Sequence, residues 1–448
     1  MNKGYAFYKS FVYFSMLVCT VCLPGILHAQ PISTMGGDGK QPYAGDGGYA
    51  VYGSFSTPTG MAIDKKGDIY LSDQKNNRIR KINSYGVLTT AAGYGSGGMT
   101  GDGGPATAAK VNNPQGITVD QYGNIYFADA SNHRIRKIDT AGLITTVAGN
   151  GIGGYSGDDT SALMAQLYQP TGVTIDKDGN MFIADCLNHR IRKVNTAGII
   201  STVAGTGVAA RFGDGSAATS AQLNRPNDVA VGTDGSLYIA DAFNNAIRKV
   251  DPNGIITTVA GSDNGVAGFG GDNGVAGQSK VSRPLSVATD KKGNVFFADR
   301  NNNRVRKINS TGIVSTVAGN GAGNSYGDGG PALDAGVVTP TSVAVDEAGN
   351  LYIGESNKVR YVYLADPKKE GTITVYPNPC SKHANIFLQS PQGETATIFV
   401  LNSQGRVVSQ SIGPTNKSID IRFDAAGAYI IYAVSKHHEW KGKASATQ

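Results

Sequence analysis

Residues 170–205 read PTGVTIDKDGNMFIADCLNHRIRKVNTAGIISTVAG, and the same sentence, with mostly like-for-like swaps, is written six times along the chain. The copies begin at Pro58, Pro114, Pro170, Pro226, Pro284 and Pro340, a spacing of 56 residues broken once by a step of 58. A strict period of this size marks an array of equivalent units, none of which can bury its own apolar face alone. Within each copy four short apolar runs are separated by turn chemistry; in the second copy they are 117–119, 125–128, 135–138 and 144–148. β-Branched and aromatic residues dominate these runs, and each is too short for an ordinary helix. Between the first two lies Asp120-Gln121-Tyr122-Gly123-Asn124, where the Asp side chain can cap its own turn and Gly supplies the positive φ of a tight hairpin. Thr140-Ala141-Gly142 does the same between the third and fourth runs. Four antiparallel strands joined by hairpins make one propeller blade.

The second run is apolar throughout, with an aromatic recurring as Tyr70, Tyr126, Phe182, Tyr238, Phe296 and Tyr352. A strand apolar on both faces must be covered on both sides, as in a blade wedged between two neighbours. The sixth copy lacks its fourth run, and Ile32-Ser33-Thr34-Met35-Gly36-Gly37 matches the missing piece. The N-terminal strand is therefore expected to complete the last blade and remove the exposed edges. The fold class read from the sequence is all-β: a six-bladed β-propeller over 30–364 closed by an N-terminal strand, followed by a small immunoglobulin-like β-sandwich.

Over residues 32–364 the motifs, such as the stretch from Asp176 to Arg192, resemble the NHL repeat family. The resemblance implies a six-bladed ligand-binding scaffold, and the fold does not choose among the several roles such scaffolds serve.

Residues 1–29 read as a secretory signal peptide: Lys3 and Lys9 precede an apolar stretch, and Leu27-His28-Ala29 offers a cleavage site. A retained anchor is the alternative, although the stretch is short for a membrane span; no transmembrane segment is expected in the mature chain. The mature chain keeps Cys186 and Cys380, in different modules, so a disulfide framework is not expected. Residues 365–371 read as a linker. Over 372–448, Tyr376-Pro377-Asn378-Pro379, then Gly405-Arg406-Val407-Val408, then Gly427-Ala428-Tyr429 resemble the C-terminal sorting domain of Bacteroidetes type IX secretion cargo. That resemblance implies export to the cell surface or beyond, with the type IX secretion machinery as a partner; an ordinary accessory sandwich is the alternative.

The formal net charge is +6, of which the propeller and linker carry only about +1 once the leader and the C-terminal domain are set aside. A nucleic-acid face makes its domain strongly basic, so none is expected. The Arg-x-Arg-Lys strings beginning at Arg78, Arg134, Arg190 and Arg304 read as outer-strand residues with packed stems and wet charges.

Returns of about twenty residues after each fourth run carry Gly-Asp-Gly strings near Asp46, Asp102, Asp214 and Asp328. They are expected on one face, together with the turns after the second run, as binding loops on a rigid scaffold. Ca²⁺ is a possible ligand there, but the alternating Asp spacing of a dedicated loop is missing, and no cofactor is expected. Differences among equivalent positions single out Lys75, Asp228, Arg300 and Glu355 as mixed charge around one mouth of the channel, with solvated loop residues as the plain alternative. His133 and His189 fill a slot held elsewhere by Asn77, Asn245 and Asn303, which favours hydrogen bonding over metal ligation. The repeated Asp73, Asp129, Asp185, Asp241 and Asp299 are expected to cap backbone amides. These features favour a monomeric, non-enzymatic scaffold for an unknown protein or glycan ligand. The rival is a metal-dependent propeller enzyme of the lyase or lactonase kind with its site in the channel; a plain structural spacer is the third reading.

Overall fold

Each hairpin is made by the residues its sequence names. Asp120 Oδ1 accepts from the amides of Tyr122 and Asn124, both at 2.9 Å, and Gly123 takes φ 90°. The computed structural model describes residues 30–364, apart from 31, 42, 85, 263 and 363, and then 369–446 with gaps at 372, 377–382, 389–394, 403–406, 416–417, 424–426 and 436–437. The expected leader, residues 365–368 of the linker, Pro377-Asn378-Pro379, Cys380 and Gly405-Arg406 lie outside the described residues.

Strands β1 (Ile32–Gly36), β2 (Pro58–Ile63), β3 (Ile69–Asp73), β4 (Arg78–Ile82) and β5 (Leu88–Ala92) open the chain. Sheet order β2-β3-β4-β5 makes blade 1, and the pattern repeats to blade 5, with a short fifth strand, Thr160–Ser161, added to the outer edge of blade 3. Blade 6 has three strands of its own, Ser342–Val345, Leu351–Glu355 and Lys358–Val362, and takes β1 as its fourth. The register runs Ile32↔Val362 to Gly36↔Val359, antiparallel, so the ring closes as the sequence leads one to expect. Every residue of β3 is buried, because the cores lie between blades: Tyr70, Ile79 and Ala92 of blade 1 pack with Ile117, Phe127 and Ile144 of blade 2. At the centre the first strands crowd one another. A Cβ on Gly116 would stand 2.5 Å from the Thr171 carbonyl oxygen, so only glycine fits there.

The long returns do not form free loops on one face. The return from blade 1 runs down the outer edge of blade 2, where the Gly103 amide donates to the Ile144 carbonyl at 2.8 Å and Ile144 donates back to Gly104 at 3.0 Å. Covering the outermost strand in this way removes an edge that would otherwise pair with another chain.

The same returns correct the reading of the arginines. The second Arg of each string is fully buried: Arg80, Arg136, Arg192, Arg248, Arg306 and Arg360 all have zero exposure. Each guanidinium bridges two carboxylates, one from the return and one closing the second strand. Arg192 meets Asp158 at 2.6 Å and Asp185 at 3.3 Å. In blade 6 the pair is Asp328 at 2.7 Å and Glu355 at 3.5 Å. The Gly-Asp-Gly carboxylates in which Ca²⁺ was a possible ligand are thus held by guanidinium. Thr202 and Tyr155 donate to the remaining Asp158 oxygen.

The C-terminal module has a five-stranded sheet and a three-stranded sheet. They enclose one core that includes Ile386, Ile398, Ile419 and Ile431. Residues 369–371, expected as linker, pair in parallel with residues 438–440.

Candidate functional site at one mouth of the ring

After the second strand of blades 1 to 5 the chain makes a single 3₁₀ turn, Gln74–Asn76, Ala130–Asn132, Cys186–Asn188, Ala242–Asn244 and Arg300–Asn302. The Asp before each turn is its anchor. Asp185 Oδ1 accepts from the Tyr168 amide at 2.7 Å, and Oδ2 from Asn188 at 2.8 Å and from Arg192. Burial outweighs these donors and pushes the Asp185 carboxyl up to about 6. The residue after each turn is left-handed, with φ from 51° to 57°. Its side chain reaches the next blade: His133 Nδ1 accepts from the Gln169 amide and His189 Nδ1 from the Arg225 amide, at 3.1 and 3.0 Å. Burial lowers both imidazoles below their ordinary range, which suits a neutral ring whose Nδ1 accepts. Cys186 is buried, and its thiol is pushed up to about 11, mainly by burial, so it is inert.

Among the described residues, no hydrogen bond or ion pair joins any two of Lys75, Asp228, Arg300 and Glu355. Lys75 is exposed on the blade 1 turn. Arg300 holds the first turn position of blade 5, half-buried, with a buried Nε that has no hydrogen-bond partner. Glu355 is fully buried and accepts from Arg360, the Val338 amide and Ser325. It does for blade 6 what the strand-end Asp does elsewhere, so it holds the scaffold together rather than facing a ligand.

Asp228 sits at the start of the central channel, a cavity of about 210 Å³ lined by the first strands of all six blades. It stands where blades 1 to 3 have Gly60, Gly116 and Gly172, and its carboxylate accepts from Ser286 Oγ and from the Val287 and Val229 amides. Surrounding protein pushes its carboxyl up to about 6 against an ordinary 3.8, although one side stays open to the channel. An acid with a raised folded pKa binds its proton more tightly when native. Its contribution to stability is then present below about pH 4 and lost as pH rises to about 6. With channel water discounting the shift, the stability of the wild type relative to Asp228→Asn should fall by about 1–3 kcal/mol between pH 4 and pH 7. Urea midpoints taken across that range check it; a flat difference would show that Asp228 is not buried in this way.

The sequence reading missed the residues that precede each repeat proline. All six are left-handed: Thr57, Asn113, Gln169, Arg225, Arg283 and Thr339, with φ between 40° and 59°. Four are neutral, and the two arginines flank one exposed ring. The Arg225 and Arg283 guanidinium carbons lie 4.7 and 5.0 Å from the centroid of Phe243, which is 44% exposed. The signal was present in the repeat itself, since this position changes character only in blades 4 and 5.

A closed ring of six blades, four-stranded apart from a short fifth strand on blade 3, with an inter-blade relay at one mouth defines a repeat β-propeller, a rigid carrier of surface positions. Residues 34–100, 95–152, 153–211 and 207–269 match the Teneurin NHL domain family, and the chain belongs to that family of NHL-repeat propellers. Residues 374–444 match the secretion system C-terminal sorting domain, which marks the chain for the type IX machinery and for secretion or the outer surface. Human Teneurin-4 is 33% identical over 285 residues, which cover 54% of this chain and only 10% of that protein's length. A structural genomics protein of unknown function from Bacteroides thetaiotaomicron shares the fold at 18% identity and a TM-score of 0.55, covering 75% of this chain and 76% of its own. An auxiliary nutrient binding protein from the same species shares it at 14% and 0.53, covering 75% and 77%. Among the described residues no helix is long and apolar enough to cross a membrane.

Proposed function

We propose that the propeller is a non-enzymatic scaffold that binds a protein or glycan at the cell surface or outside the cell, through the mouth bearing the 3₁₀ turns. One observation carries this reading. The polar residues repeated in every blade, the buried Arg foremost, are engaged inside the scaffold, whereas Lys75, Phe243 and Arg300, which differ between blades, stand together with the pre-proline arginines on the side of those turns. A rigid frame with variable positions gathered at one mouth is what selective binding requires.

The test is a glycan array together with capture of partners from surface extracts, using the full exported chain. Retention of a ligand that Lys75→Ala plus Arg300→Ala loses, and that Lys65→Ala plus Lys177→Ala on the opposite hairpin turns keeps, supports the proposal. Loss confined to the hairpin-turn pair counts against it. The raised carboxyl of Asp228 in the channel favours the second reading, a metal-dependent enzyme of the lyase or lactonase kind. Its three donors, and the lack among the described residues of any group of three His, Cys, Asp or Glu placed to hold a metal ion, weigh on the other side. Stoichiometric, tightly held Ca²⁺ or Zn²⁺ in purified protein would favour the enzyme.

A further inference from the structure

Three arginines gather on the seams of blades 3, 4 and 5. Arg225 and Arg283 are exposed and held against Phe243. Their backbones are fixed, because their amides donate across the seams to His189 Nδ1 at 3.0 Å and Asn245 Oδ1 at 2.9 Å. Arg300 is next to Arg283: the amide of Asn301, which follows Arg300 in the turn, donates to the carbonyl of Ser282, which precedes Arg283, at 3.2 Å, and after burial the charge of Arg283 pulls the Arg300 guanidinium below its ordinary range. The Phe243 amide in turn donates across the seam to the carbonyl of Asn224, which precedes Arg225, at 3.1 Å.

No carboxylate answers this charge. Among the described residues none of the three forms an ion pair, and the strand-end acids beneath them, Asp241 and Asp299, are fully buried against Arg248 and Arg306. Three like charges brought together without a counter-ion repel one another, and a buried Nε with no acceptor adds a desolvation cost. A bound oxyanion relieves both. Guanidinium forks match the paired oxygens of a carboxylate or sulfate. Phe243 acts as a positioning residue, since a cation over an aromatic face is held in place.

We infer that Arg225, Arg283 and Arg300, set by Phe243, form an oxyanion subsite for an acidic glycan bearing uronate carboxylates or sulfate esters. This rests on the binding-scaffold reading and gives it a ligand chemistry. A glycan is favoured over an acidic peptide because an exposed aromatic continues the row: Tyr168, 41% exposed, lies on the seam before Arg225 and packs edge-on against His133. Alternating aromatic faces and cations suit pyranose rings that carry anions.

The full exported chain is titrated with alginate, dextran sulfate, neutral dextran and poly-glutamate at low and physiological salt. Binding to alginate or dextran sulfate, absent for neutral dextran, should weaken by about tenfold or more in Arg283→Ala plus Arg300→Ala. Phe243→Ala should weaken it about threefold with all charges kept. Lys177→Ala, an exposed cation on the opposite hairpin turns, should leave it unchanged. Unaltered thermal midpoints show that these variants are folded. The two acidic polymers tell carboxylate from sulfate, and a preference for either supports the subsite. Preference for poly-glutamate, equal loss on Lys177→Ala, or no binding to any polyanion would overturn it. Capture of a neutral glycan or a protein in that last case would leave the scaffold reading intact.

Discussion

Arg192→Ala is expected to lower the unfolding free energy of the propeller by about 3–5 kcal/mol, because it strips a buried carboxylate of its counter-charge. Arg192 has zero exposure and stands between Asp185, also fully buried, and Asp158. After truncation Asp185 keeps the Tyr168 amide and Asn188 as donors but faces no cation. Its pKa, already about 6, must then rise further, so at neutral pH the folded protein either holds an uncompensated charge or takes up a proton that the unfolded chain does not bind. The deficit should shrink toward pH 5, where the carboxyl takes up a proton, and Asp185→Asn in the same chain should recover part of it. Denaturant midpoints at pH 5 and pH 8 decide the matter. A loss below about 1 kcal/mol at pH 8, the level of an exposed pair, would mean that water reaches the site.

Removing β1 should be more damaging still. Ile32 is fully buried among Val343, Ile353 and Val362, and its backbone exchanges hydrogen bonds with Gly330 and Gly329 at 3.0 and 2.8 Å. Ile32→Ala alone is expected to cost about 2–5 kcal/mol. Deleting residues 30–36 removes that contact, bares one edge of the strand Lys358–Val362 and leaves the Asp328 carboxylate without Thr34, which donates to it at 2.6 Å. The truncated chain should unfold over a broader range and self-associate through the bared edge, visible in sizing and light scattering. A monomer with an unchanged midpoint would show that the ring is held by its other seams alone.

The blades were legible because their information is local. Turn chemistry at Asp120 and Gly123, alternation of runs and a fixed period are all written within fifty-odd residues. Closure was legible too, since a missing run at one end matched a spare run at the other. The buried arginines were harder. Their partner Asp lies 34 residues upstream in blades 1 to 5, across the blade seam, and no short window contains both. A hint existed within the repeat: the first Arg of the string becomes Ala246 in blade 4 and Lys358 in blade 6, while the second never changes. A position that tolerates no swap among six copies belongs to the interior. Glu355 misled for the same reason, because its departure from Asp looked like a surface novelty when it is a longer acid reaching the same guanidinium. Arg225 and Arg283 escaped notice because each precedes a proline, where attention falls on backbone geometry rather than on charge.

The seam at Ile32 and Val362 also sets an order of events for a chain that must be exported. Blades 1 to 5 are successions of neighbouring hairpins and can form as they emerge, but the sixth waits for the first strand to meet nearly the last of the ring. Long-range contacts of this kind are reached late and slowly. Until then the array is an open arc with two sticky ends, and speed of passage to the exterior becomes part of what keeps it soluble.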